Sequence, residues 1–147
     1  MGLAGDQIIG MTTVWDKQVT TGTTTSTSYT ATLAGGTACG VTFVAPPTGV
    51  AVILATCQMS NTTASAYNYY SPQVRAGGTI GSGTLVLTAS DDDADVWNST
   101  TLAGRNTVAV LVAGLTAGSV YNVQGLHKVS AGTGAFTRKQ LIVMPQA

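Results

Sequence analysis

Charge is what this sequence has least of: 8% of its 147 residues are Asp, Glu, Lys or Arg, where a soluble domain carries roughly a quarter. A free monomer with so few charges is poorly protected against self-association, so much of the surface is expected to be covered by partners. Glutamate is absent, and every acidic residue is an aspartate: Asp6, Asp16, Asp91, Asp92, Asp93 and Asp95. The missing Glu removes a principal helix former. The basic residues Lys17, Arg75, Arg105, Lys128, Arg138 and Lys139 are scattered apart from the last pair. A phosphate backbone needs a clustered basic face, so nucleic acid is not expected as a partner. Purely apolar runs such as Val50 to Ala55 fall far short of the ~20 residues that span a bilayer, and no membrane partner is expected. The first residues show no basic start leading into an apolar stretch, unlike a secretory signal, so synthesis in a cytoplasm is the expectation.

What the chain has instead is Thr, Val, Gly and Ala. Thr and Val favour strands and Gly marks turns, so the composition reads as all-β. Strand candidates are Gly40 to Ala45, Val50 to Cys57, Ala66 to Arg75, Gly83 to Ala89, Asn106 to Gly114, Ser119 to Ser130 and Gly134 to Met144. Seven or eight strands at this spacing imply an antiparallel β-sandwich or jelly roll. The expected domains are an extended N-terminal arm, residues 1–35, and a β-sandwich over 36–147. The arm carries the apolar group Ile8, Ile9, Met11, Val14 and Trp15, followed by a Thr/Ser-rich stretch that buries little. These five residues are the expected anchor to a larger assembly or a neighbouring subunit, through strand addition at an exposed sheet edge.

Two runs, Val50 to Ala55 and Val108 to Ala113, are apolar at odd and even positions alike. A sheet with one wet face alternates, so their second face needs a cover. With no helices to supply it, another copy of the same sheet is the natural cover. Val50, Val52, Leu54, Val108, Val110 and Val112 are therefore the expected interface of a homotrimer.

Chemistry-bearing residues are sparse. Cys39 and Cys57 flank the Pro46-Pro47-Thr48-Gly49 turn at near-mirror positions, so a hairpin there brings them close. Free buried thiols are nevertheless the expected state, because synthesis is reducing and Cys packs as a small hydrophobe. His127 is the only histidine, and neither a triad nor a zinc site is expected around it. The run Asp91 to Asp95 lacks the central Gly and terminal Glu of an EF-hand loop and reads as a solvated loop. Gly77 to Gly83 lacks the Gly-Lys-Ser/Thr ending of a phosphate loop and reads as a turn. Trp97 and the group Tyr67, Tyr69 and Tyr70 could form a recognition patch, though aromatics on strands more often serve cores or interfaces. No catalytic residues, metal or cofactors are expected, and the chain reads as a non-enzymatic structural protein.

From about Gly40 onward the chain resembles the jelly-roll domains of bacteriophage virion proteins, especially those of phages infecting actinobacteria. The residues that carry the likeness are Val41 to Gly49 (VTFVAPPTG), Pro72 to Gly78 (PQVRAGG), Val112 to Tyr121 (VAGLTAGSVY) and Arg138 to Pro145 (RKQLIVMP). The resemblance implies a trimeric head and a place in the virion, assembled in the host cytoplasm, with the major capsid protein or other virion proteins as partners. Without a fibrous shaft, collagen-like repeat or heptad stretch, the chain fits a capsid decoration or cement protein better than a minor tail or receptor-binding protein. Thiol titration of denatured, unreduced protein is expected to find two free thiols per chain; finding none would establish a disulfide instead.

Overall fold

The computed structural model describes residues 12–98 and 102–147. Among these there is no helix, and the strands form two antiparallel sheets packed as a sandwich. The first sheet contains β1 (Val14–Gln18), β2 (Gly22–Thr24), β4 (Ala51–Asn61), β8 (Gly104–Val112) and β10 (Gly134–Pro145). Its order is β1-β10-β4-β8, with β2 continuing on β10 beyond β1. The second contains β3 (Gly40–Val44), β5 (Tyr67–Ala76), β6 (Leu85–Leu87), β7 (Asp95–Asn98) and β9 (Val120–Val129). There the order is β3-β9-β5, with β6 and β7 sharing the far side of β5.

Alternation along the strands builds the core. On β4, Ala51, Ile53, Ala55, Cys57 and Met59 are buried while the residues between them are half-buried. They meet Tyr70 and Val74 of β5, Val123 and Val129 of β9, and Phe136, Leu141 and Val143 of β10. Removing a fully buried side chain such as Ile53 by truncation to Ala typically costs about 2–5 kcal/mol.

The turn after β3 is not the hairpin expected from its prolines. β3 pairs with β9 and β4 pairs with β10 and β8, so Pro46 to Gly49 carries the chain from one sheet to the other. Gly49 closes that turn at φ +67°, where an added Cβ would lie 2.4 Å from the Leu115 carbonyl oxygen, so only glycine fits. Cys39 and Cys57 are free and buried. Both lie against β10, the Cys39 thiol donating to Lys139 O at 3.1 Å and the Cys57 thiol to Thr137 O at 3.5 Å. Burial pushes the Cys39 thiol up to about 11.

The described part of the expected arm belongs to the sandwich. β1 pairs with Lys139 to Val143 and β2 with Gly134 to Phe136. The chain then crosses to the second sheet, where Thr30 and His127 exchange backbone hydrogen bonds and Val129 N donates to Ser26 O. Residues 14–34 thus stitch the edges of both sheets, and a boundary at 35 separates nothing. A Thr-rich segment that buries little of itself can still satisfy backbone groups along two open edges.

β10 carries a one-residue bulge between Thr137 and Gln140, where Arg138 takes φ 48°. Lys139 turns inward there and is fully buried, its Nζ donating to Thr20 O at 2.7 Å and Phe136 O at 3.2 Å. Burial lowers its pKa. The extra residue also switches which positions face the core, from Phe136 before the bulge to Leu141 and Val143 after it, as a bulge does.

His127 packs between Tyr70 and Phe136, with ring centroids at 5.3 and 4.9 Å. Its Nδ1–H donates to Thr30 O at 3.1 Å, and burial pulls its pKa down to about 3. Stability from keeping this ring neutral is full above its unfolded value of about 6.5 and is lost as pH falls toward 3. Asp95, raised to about 6 by burial, works the other way: its contribution grows as pH falls from 6 to its unfolded value of about 3.9, so between pH 6 and 4 the two slopes nearly offset. Thermal melts are therefore expected to show little change in Tm from pH 6 to pH 4 and a fall below pH 4, and His127→Phe should remove that fall and turn the flat stretch into a rise towards acid even if it lowers Tm at neutral pH. An unchanged slope in the variant would show that the acid limb arises elsewhere.

Candidate functional site, an apolar sheet face

The two sheets differ in what covers their outer faces. Over the second sheet the chain folds its own loops. Asn122 is 1% exposed, and its side-chain amide donates to Gly77 O at 2.9 Å and Ser82 O at 3.1 Å while its Oδ1 accepts from Gly81 N at 3.0 Å. The glycine-rich segment expected as a simple turn is therefore tied down across β9 and β5. The acidic loop does the same over β5, with Ser71 Oγ donating to Asp93 O at 3.2 Å and accepting from Ser90 N at 3.1 Å.

The tip of that loop is solvated, Asp91 and Asp92 being exposed, while its later residues turn inward. Lys128 Nζ donates to both Asp91 carboxylate oxygens, at 2.6 and 2.7 Å, and the pair draws in the Tyr29 hydroxyl, which donates to Asp91 Oδ1 at 2.9 Å. The Lys128 hydrogen bonds hold the Asp91 carboxyl below its usual value, and the ammonium sits 4.6 Å from the Tyr69 ring centroid. Asp95 leaves the loop to begin β7 and is buried, accepting from Cys57 N at 3.1 Å across the two sheets. Of the tyrosines, Tyr70 is core, whereas Tyr67 remains 42% exposed. Trp97 lies against the core and over Gly104.

The outer face of the first sheet has no such cover among the described residues. Register places its outward side chains in rows across the strands. Trp15 lies opposite Ile142, Ile142 opposite Leu54, and Leu54 opposite Ala109. In the next row Met144 lies opposite Val52 and Val52 opposite Leu111. Trp15 is 64% and Leu111 65% exposed, and the others are half-buried or open. Further along, the face turns polar through Lys17, Gln140, Thr56 and Thr107, the two threonine hydroxyls hydrogen-bonded at 2.8 Å. A contiguous apolar area of this kind is the usual mark of an interaction surface.

The expected interface residues divide between the two faces. Val52 and Leu54 point outward and Val50 continues their side of the strand. Val110 and Val112 point into their own core, 3% and 4% exposed, and Val108 packs against it, so these three are not available to a partner. The outward positions beside Val52 and Leu54 are instead Trp15, Ala109, Leu111, Ile142 and Met144. An all-apolar run cannot reveal which half of it faces out, because only the register with neighbouring strands fixes parity. Of the expected anchor residues, Val14 packs against the core and Trp15 joins the outer face, whereas Ile8, Ile9 and Met11 lie outside the described residues. Among the described residues no three His, Cys, Asp or Glu side chains stand together to hold a metal.

Two antiparallel sheets in this order define a jelly-roll-type β-sandwich. The same fold occurs in solved structures of infectious bursal disease virus. The chain superposes on the Gt strain with a TM-score of 0.56 at 7% identity, covering 99% of this chain and 37% of that one. It superposes on the VP2 subviral particle with a TM-score of 0.50 at 14% identity, covering 99% and 36%. The chain thus spans little more than a third of the length of these viral proteins, and the likeness is one of fold. No protein-family model matches the sequence, and no curated protein does.

Proposed function

We propose that this chain is a non-enzymatic virion structural protein, a capsid decoration or cement protein of a bacteriophage that binds the assembled shell in many copies and reinforces it. The observation that carries this reading is the bare apolar face of the first sheet on a chain with so little charge: such a surface suits a molecule whose working state is an assembly. The fold it shares with viral capsid proteins supports the same reading, as does the virion-protein resemblance of the sequence. In it the chain works as a homotrimer, its partner is the major capsid protein or a neighbouring virion protein, and its location is the virion, built in the host cytoplasm. Attachment falls to the residues ahead of β1, where Ile8, Ile9 and Met11 supply apolar contacts, and many weak contacts made at once are enough to hold it.

Co-sedimentation with purified shells tests this. The full chain is expected to bind at on the order of hundreds of copies per particle, and a chain lacking residues 1–11 should stay folded but remain in the supernatant. Binding of only a few copies per particle would point to a tail position, and equal binding by the truncated chain would remove the anchor.

A further inference from the structure

We infer that Tyr67 and Tyr69, on the outer face of the second sheet, form a platform that binds an uncharged oligosaccharide, with Asp91 and Lys128 as the polar groups at its border. The inference stands apart from the reading above, which concerns the first sheet and the residues ahead of β1. The position of the rings, the fixing of the border and its charge lead to it.

The described loops over this sheet stop short of one end of β5. Ser71 is held under the acidic loop, and Leu126, opposite it on β9, is buried as well. Ahead of Ser71 the same face of β5 carries Tyr69 and Tyr67, with Asn68 between them turned inward and fully buried. The two outward rings stand side by side, their centroids 6.3 Å apart and their planes inclined at 39°, and Tyr67 is well exposed. Val96 and Asn98 of β7 lie opposite the two tyrosines on one side. On the other are Lys128, opposite Tyr69, and Ser130, whose Oγ accepts from Tyr67 N at 2.8 Å.

The border is fixed in place before any ligand arrives. Lys128 lies between two rings, its ammonium 4.6 Å from the Tyr69 centroid and 5.2 Å from that of Tyr29, and together with the Tyr29 hydroxyl it holds Asp91. The Asp91 side chain is still 50% exposed, and its carboxylate can accept further hydrogen bonds. A sugar ring presents a face of C–H groups, which packs on an aromatic face as other apolar groups do, and a rim of hydroxyls that both donate and accept. On this platform the C–H face meets Tyr67 and Tyr69, and the hydroxyls reach the Asp91 carboxylate and the remaining proton of the Lys128 ammonium. The charges of Asp91 and Lys128 cancel, and β5, β7 and β9 add no other outward charge at this end, so the ligand it suits is uncharged. A protein surface pressed onto the patch would strip water from the ion pair, which is costly, whereas sugar hydroxyls take the place of that water.

Isothermal titration of the full chain with uncharged oligosaccharides of glucose, mannose, galactose, xylose and N-acetylglucosamine tests this. At least one should bind, with an affinity independent of salt, because the ligand has no charge to screen. Tyr67→Ala should weaken that binding about tenfold through loss of one ring contact. Asp91→Asn, which keeps the shape of the side chain, should weaken it too and serves if Tyr67→Ala does not fold. Leu111→Ser, on the outer face of the first sheet, should bind as wild type does. No binding of any of these sugars overturns the inference, and so do an affinity that falls with salt and full-strength binding by both Tyr67→Ala and Asp91→Asn. Shell binding lost in Tyr67→Ala with no sugar bound would make the patch a protein contact instead. A chain that binds sugar and ignores shells sustains the inference and removes the decoration reading, whereas a chain that binds shells and no sugar does the reverse.

Discussion

The first sheet is organised on β10, whose inward residues join the core and whose outward residues Ile142 and Met144 stand in the apolar rows of the outer face. This strand lies between β4 on one side and β1 with β2 on the other, and its inward residues are Phe136, Leu141 and Val143. A strand buried on one side only would alternate with polar residues. Here burial of the inner face stabilises the sandwich at about 25 cal/mol per Å² of apolar area, and the outer face holds the same kind of surface with nothing from its own chain to cover it among the described residues.

The bulge at Arg138 and Lys139 is what permits both. Without its extra residue the inward and outward sets on either side of it would not both match β4. The cost is a lysine drawn into the interior, which is tolerable because two backbone carbonyls, Thr20 O and Phe136 O, receive its ammonium, a buried charge being costly unless hydrogen-bonded. The Thr-rich segment that supplies Thr20 therefore does more than edge a sheet. It satisfies the one buried cation of the described residues, and Thr30 in the same segment accepts from Nδ1 of the buried His127, whose Nε2 has no hydrogen-bond partner among the described residues. Thr20 and Thr30 of the N-terminal region serve the interior through their carbonyls, while Trp15 faces out and Val14 and Leu33 face in.

Much of this fold is legible in the sequence. Turn residues and β-rich runs locate seven strands to within a few residues, and the doubled apolar runs at Val50 to Ala55 and Val108 to Ala113 announce a second face needing cover. What the runs cannot convey is parity: Val108, Val110 and Val112 face in and Ala109 and Leu111 face out because β8 is fixed to β4 by register, a long-range fact. The Pro-Pro turn misleads for a related reason, since a turn signal reports a reversal of the chain and not which sheet receives it. β1, β2 and β7 escape a reading of the residues because short edge strands carry little apolar periodicity, their stability coming from backbone bonds to strands far away in sequence. Tying of the acidic and glycine-rich loops by Ser71 and Asn122 leaves no local signature either.

The central claim is that one sheet is partly covered by its own loops, with Leu85, Val86 and Val120 left exposed, whereas the other presents an uncovered apolar face among the described residues, which we propose further copies of the chain cover. Amide hydrogen exchange along β8, followed as a function of protein concentration, tests it most directly, because the amides of this strand that point away from β4 have no partner strand among the described residues. They are predicted to be protected at high concentration and to lose that protection on dilution, while amides of β5 and β9 stay protected throughout. Rapid exchange of the outward β8 amides at every concentration would contradict the claim.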